Sequence, residues 1–204
     1  MCTRDSIFVP NYQGGRKLDI VFDAQHNRIK QGGLLDLGAT HTLPSGQKLI
    51  EHDSCVQYAK LACESLSKNH TVHMLEAGTY RRRADVSNNI YKPDIYFACH
   101  LNSFPNIKTN YSLVEIPYNA SPEAREFAKK LADSFLRHLP VAKSTVRQLN
   151  PFDRGYGCIG LIDAPITVLI EPLFINHPDS EKVLTLEPWR IAAAIVEAIE
   201  GIKS

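Results

Sequence analysis

The chain has 204 residues, enough for one large domain that buries its core without disulfide or metal staples. A hydrophobic fraction of 44% and a charged fraction of 22% are those of a globular protein and exclude disorder and low complexity. Lys+Arg 23 against Asp+Glu 22 give a formal charge of +1, so electrostatics make no case for nucleic acid or a membrane surface as partner.

Residues 1–16 read as irregular, broken by Pro10 and Gly14-Gly15. Leu18–Phe22 is a short strand, followed by a polar, Gly-rich stretch to Gly46. The pattern then predicts a helix from Gln47 to Ser67, a strand over Thr71–Leu75 and a short polar helix or turn over Arg81–Asn88. Ile95–Cys99 is the near-continuous apolar run of a buried strand, and Tyr111–Tyr118 is a further strand. Ser121-Pro122-Glu123 opens a helix running to His138, with Ser at the N-cap and Pro at the first helical position. Ile166–Ile170 is a β-branched core strand. The stretch Pro178–Ile202 begins as a turn and closes as a helix with Ile191, Ala194, Ile195 and Ile199 on one face. Strands alternating with helices predict a single α/β domain over the whole chain, with a mostly parallel central sheet of about six strands flanked by helices on both faces.

Cys2, Cys55, Cys63, Cys99 and Cys158 form an odd set with no C-x-x-C pair, which predicts reduced thiols. No stretch approaches the roughly 20 apolar residues of a membrane span. Met1–Ser6 has no apolar leader, so the expectation is a chain made in the cytoplasm. Nothing in the sequence sets an oligomeric state, and a monomer is the simplest expectation.

In parallel sheets, ligands bind beyond the carboxyl ends of the strands. His26 lies just past the first strand, His100 ends the Ile95–Cys99 run, and Glu171 directly follows Ile170. The helix over 47–67 has an apolar stripe of Cys55, Ala59, Ala62 and Leu66, and extending it back four residues reaches Glu51. An inward-facing glutamate needs a partner, and this one is expected at the same sheet edge as the two histidines. Two His and one Glu match the ligand set of a catalytic zinc site with its fourth position open. Glu171 is then a second carboxylate, free to act as a base.

At these residues the sequence resembles the zinc-dependent N-acetylmuramoyl-L-alanine amidases of the Amidase_3 type. That family's Asp-x-Gly-His-Gly strand end is matched by Asp23-Ala24-Gln25-His26-Asn27. A helix-opening Glu after a Gly-Ala segment is matched by Gly38-Ala39 and Glu51-His52. An Arg-x-x-x-Ala-Asn turn corresponds to Arg83 through Ser87-Asn88, and Ser-Ile-His-Ala-Asn to Ala98-Cys99-His100-Leu101-Asn102. Glu-x-Gly-Phe-x-x-Asn is seen as Glu171-Pro172-Leu173-Phe174-Ile175-Asn176. The resemblance spans residues 17 to 202. It implies one zinc on His26, Glu51 and His100, Glu171 as the catalytic acid/base, and hydrolysis of the amide joining the lactyl group of N-acetylmuramic acid to L-alanine in peptidoglycan. The departures, Gln25 and Asn27 for glycines and Leu173 for the last Gly, bear on loop shape and substrate fit.

With one helical pattern between His100 and Glu171, the site is expected to be open. A phage or prophage lysin acting on the wall of its bacterial host without an attached wall-binding domain is the implied setting. Asn102 is expected to orient the site or contact substrate, and Asp23 to support a ligand histidine. His52 is expected to face solvent or support the site, and His41 and His177 to lie near it. Arg81-Arg82-Arg83 reads as a solvated face, and Cys99 as core on the opposite side of its strand from His100. Two other readings remain open at this point: another zinc hydrolase of exopeptidase type, and a non-catalytic wall-binding module.

Overall fold

The computed structural model describes residues 16–29, 34–105, 108 and 110–202. The irregular segment 1–16 therefore lies, except for Arg16, outside the described residues, as does Cys2. The central sheet has six strands, in chain order β1 (Asp19–Ala24), β6 (Thr71–Leu75), β7 (Ile95–Cys99), β8 (Tyr111–Pro117), β9 (Lys143–Leu149) and β10 (Ile166–Glu171). Across the sheet they lie in the order β6-β1-β7-β10-β8-β9. β1, β6, β7 and β10 run parallel, whereas β8 pairs antiparallel with β10 and parallel with β9. A single α/β domain with a mostly parallel sheet is the fold expected from the sequence.

Helix α1 (Glu51–Leu66), α3 (Pro122–His138) and α6 (Trp189–Glu200) close one face of the sheet. Their Tyr58, Ala59, Leu131, Phe135, Ile195 and Ile199 pack on Ile20, Phe22, Phe97 and Ile170. The stripe Cys55, Ala59, Ala62 and Leu66 is fully buried there. At about 25 cal/mol per Å² of apolar area, this face supplies most of the folding drive. The opposite face carries Val21, Tyr96, Ala98 and Leu169, covered by shorter elements: α2 (Tyr80–Val86), a π-helical turn (Ser87–Tyr91) and α4 (Tyr156–Ile159).

The differences from the sequence reading have local causes. Residues Lys48–Ile50 form strand β5, paired with β4 (Thr40–Thr42), so α1 begins at Glu51 rather than Gln47. The first amides of α1 are satisfied from outside, since Glu51 N donates to Ala39 O and His52 N to Leu37 O. The Gly-rich stretch also holds the short pair β2 (Arg28–Ile29) and β3 (Leu35–Asp36). β9 is an edge strand with few apolar residues, which hid it from pattern reading. Pro178 opens a helix, α5 (Pro178–Leu186), capped by the His177 side chain, rather than a turn. Among the described residues the cysteines are free, and no helix is long and apolar enough to cross a membrane.

Candidate metal centre and active-site cleft

The parallel strands β1, β7 and β10 end at one edge, and there they deliver His26, His100 and Glu171 to a cleft of about 680 Å³. Glu51, on the first turn of α1, lines the same cleft and is only 4% exposed. One donor atom each from His26, Glu51 and His100 lies within 4.8 Å of the others, a cluster that could hold a metal ion. Glu51 Oε1 is central to it, 3.0 Å from His26 Nε2 and 2.9 Å from His100 Nδ1.

The backbone is shaped around these side chains. Leu101 N donates to Glu51 Oε1 (3.1 Å) and Ala39 N to Glu51 Oε2 (2.7 Å). Gly38 has φ +80°, and a Cβ there would lie 2.5 Å from Glu51 Oε2 and 2.8 Å from His26 Cδ2. Only glycine allows the chain to pass so close behind the cluster. His26 and Asn27 both take left-handed backbone conformations, with φ 69° and 49°. Asn tolerates that region better than most residues, so Asn27 can stand where the family has glycine. Its Nδ2 also donates to Glu76 O (3.1 Å).

Arg83 is the main correction to the sequence reading of this region. Arg81 and Arg82 are exposed, but Arg83 is 2% exposed and ion-paired with the buried Asp23. Its guanidinium donates to Ala24 O (3.1 Å), His26 O (2.5 Å) and Gly78 O (2.8 Å), which pins the turn presenting His26. Asp23 is thereby committed to Arg83, Tyr96 and Gln25 and forms no hydrogen bond or ion pair with His26 or His100. Strand alternation explains this, because Asp23 shares the Val21 face of β1 and points under the sheet. The carboxylate beside His26 is Asp36 instead, with Oδ1 3.3 Å from His26 Nδ1. His52 is buried with Nδ1 2.9 Å from Gln25 O, so it buttresses the same turn. His41 and His177 are not among the cleft's lining residues.

Asn102 lines the cleft, its Oδ1 accepting from Ser103 N (2.8 Å). Cys99 is fully buried on the helix-covered face, as alternation requires. One turn of helix, α4, does stand between α3 and Glu171, and its Cys158 forms part of the cleft wall with Sγ 3.5 Å from His100 Nε2. Sequence reading missed Glu115, which is 2% exposed, lines the cleft and pairs with Arg147. Its signal was an acid inside the apolar run Leu113–Ile116.

Electrostatics separate the carboxylates. Burial works against ionisation of Glu51, but His100 and His26 outweigh it and hold the carboxyl well below its usual range. Burial also pulls His100 down, whereas for His26 the contacts with Glu51 and Asp36 win and raise it. Glu171 has no such partner among the described residues. Burial, then the charges of Glu115 and Glu51, push it up to about 7, against the pull of Arg147 and Arg154.

The donor set fits a metal: two imidazoles and one carboxylate match a catalytic zinc site. His26 Nε2 is buried and makes no hydrogen bond among the described residues, although it stands 3.0 Å from Glu51 Oε1. Each histidine's other nitrogen meets a supporting group, Asp36 or Cys158, as metal-bound imidazoles usually do.

No curated protein sequence matches the chain. The fold is similar to an N-acetylmuramoyl-L-alanine amidase from Clostridium difficile 630 (TM-score 0.74, 20% identity, covering 91% of this chain and 96% of that one). It is also similar to the catalytic domain of CwlV, an N-acetylmuramoyl-L-alanine amidase from Bacillus (Paenibacillus) polymyxa var. colistinus (TM-score 0.70, 19% identity, 88% and 94% covered). Ami1, an N-acetylmuramyl-L-alanine amidase from Mycobacterium abscessus, gives TM-score 0.70 at 19% identity, with 88% and 95% covered. At these identities the likeness is one of fold. The family model described as Amidase_3, N-acetylmuramoyl-L-alanine amidase, matches residues 20–201, nearly the whole chain and every residue of the cleft. The chain belongs to this family of amidases, enzymes that act on peptidoglycan.

Proposed function

We propose that this amidase cleaves the bond between the lactyl carbonyl of N-acetylmuramic acid and the nitrogen of L-alanine, with one zinc ion held by His26, Glu51 and His100 and with Glu171 as the acid–base group. The observation that carries the reading is the contrast between two carboxylates in one cleft. Glu51 is engaged by both histidines, while Glu171 is free of ion pairs among the described residues and is pushed up to about 7, first by burial. Zinc held there supplies Lewis acidity, which acidifies water and polarises the scissile carbonyl. Glu171 accepts a proton from the attacking water and returns it to the departing alanine nitrogen, the two tasks for which a pKa near the working pH is best suited. Asp36 keeps Nδ1 of His26 occupied and so directs Nε2 toward the metal. Ala39 N and Leu101 N fix the Glu51 carboxylate. Asn102, on the cleft wall, contacts substrate.

The test is metal analysis of the purified protein combined with digestion of purified walls. About one zinc per chain, falling turbidity, new N-terminal alanine and intact muramic acid are the expected results. New termini at other residues would point to a peptidase, and walls bound but not cut would point to a binding module.

A further inference from the structure

The cleft holds more charge than the proposed reaction uses. Three arginines line it: Arg28, Arg147 and Arg154. Arg28 is committed, its Nε 3.1 Å from Asp36 Oδ2 and its guanidinium 4.2 Å above the Tyr80 ring. Arg147 is committed to Glu115. Arg154 makes no hydrogen bond or ion pair among the described residues, although its charge reaches Glu171 through space. The anions are similarly assigned, with Glu51 on the histidines, Asp36 on His26 and Arg28, and Glu115 on Arg147. What remains uncommitted is one base, Glu171, and one exposed cation, Arg154.

The turn that presents Arg154 is held on both sides. The Asp153 carboxylate accepts from the backbone N of Asn150 (2.6 Å) and from its Nδ2 (3.1 Å), so it is used within the turn. Tyr156 N donates to Asp153 O (3.2 Å), closing the far side. Gly155 has φ +94°, and a Cβ there would stand 3.2 Å from Leu169 Cδ1 and 3.6 Å from Glu115 Oε2. The turn is therefore pressed onto β10, the strand that ends in Glu171, and Arg154 belongs to the Glu171 wall rather than the His26 wall.

We propose that Arg154 is a specificity-determining residue that takes a carboxylate of the peptide on the leaving side of the scissile amide. This rests on the amidase reading above, in which Glu171 returns its proton to the leaving nitrogen. The departing peptide must then lie along the Glu171 wall. Between the two halves of the substrate, the sugar offers neutral hydroxyl and acetamido groups, and the peptide offers carboxylates. A guanidinium with all its donors free matches a carboxylate in a two-pronged pair.

The test uses a matched pair of N-acetylmuramoyl dipeptides, one with a free carboxylate on the second residue and one with that carboxylate converted to an amide. The zinc-loaded parent should favour the acid about tenfold, through KM rather than kcat. Arg154→Gln should bring the ratio of the two KM values to about one, whatever change in kcat common to both substrates follows from losing the charge that reaches Glu171, and Arg154→Lys should restore part of the preference. Binding of both compounds to the metal-free protein, read by calorimetry, should show the same Arg154-dependent preference. A parent that treats both compounds alike, or an Arg154→Gln variant that keeps the parent's preference, overturns the proposal while leaving the amidase reading intact. A parent that binds the acid through Arg154 yet cleaves neither compound keeps the subsite and overturns the amidase reading.

Discussion

Glu51 and Glu171 are both largely buried at the same sheet edge, yet one is held ionised and the other is poised near neutrality. Burial acts on both in the same direction, so the difference comes from what each carboxylate touches. Both Glu51 oxygens are occupied: Oε1 by His26, His100 and Leu101 N, and Oε2 by Ala39 N. Glu171 ends a strand whose neighbour runs the other way, and that neighbour brings Glu115 to the same cleft. One glutamate thus meets two imidazoles and two backbone donors, and the other meets two like charges that Arg147 and Arg154 only partly offset. Titratable groups pushed apart in this way fit the division of labour proposed above, one charge kept for binding a cation and one proton kept for exchange.

Removing a member of the first group should have the largest effect. His26→Ala leaves two protein ligands, so zinc content and wall-cleaving activity should both fall to background, measured by metal analysis and turbidity. The matching change in the second group should separate the functions. Glu171→Gln keeps shape and ligands, so zinc content should be unchanged while the rate falls about 10²–10⁴-fold. Loss of zinc on Glu171→Gln would make Glu171 a ligand. A near-parental rate would remove it from the reaction.

These two groups were not equally legible in the sequence. His26, His100 and Glu171 follow apolar runs that read as strands, and parallel strands put their ends at one edge. Glu51 followed from extending the helical stripe, and the helix indeed buries that position although it starts four residues later than the pattern suggested. Both signals are periodic and local. The supporting charges carried no periodic mark. Glu115 lies in mid-strand and comes near Glu171 because β8 pairs with β10 in a register that sets Glu115 opposite Leu169, a matter of topology. Asp36 belongs to a two-residue strand, and Arg83 sits in an Arg triplet that looked like solvated surface. For Glu115 and Asp36 an ionisable residue between apolar neighbours was the available sign, whereas Arg83 follows two other arginines, and in each case only the partner across the fold gave the residue meaning.

A smaller effect is expected behind the metal cluster. Asp36→Asn keeps the shape beside His26 Nδ1 and removes the charge that fixes the imidazole. Zinc affinity should fall by about 10–100-fold, the usual cost of losing such a support, while wall cleavage at saturating zinc is largely retained. Competition with a chelator of known affinity measures it. An affinity equal to the parent's would show that Asp36 serves Arg28 alone.

The smallest effect is the one that tests the Glu171 environment most directly, and it belongs to metal-free protein, because a bound cation also acts on this carboxyl. A folded pKa of about 7, above the ordinary glutamate range, means that the folded state holds this proton more tightly than the unfolded chain does. The associated stability is complete below the ordinary carboxylate pKa and is lost as pH rises through about 7. Glu171→Gln cannot lose a proton, so its melting temperature relative to the parent should climb between pH 4.5 and pH 8. Glu115→Gln removes one of the charges that push Glu171 up and frees Arg147, which pulls it down. Both changes act in the same direction. The Glu171 midpoint, followed by carboxyl ¹³C resonances, should move from about 7 toward the ordinary range, and the pH-dependent gap should narrow. A Glu171 midpoint unchanged by Glu115→Gln would assign the shift to burial and the charge of Glu51, and the contrast between the two glutamates would then owe nothing to Glu115.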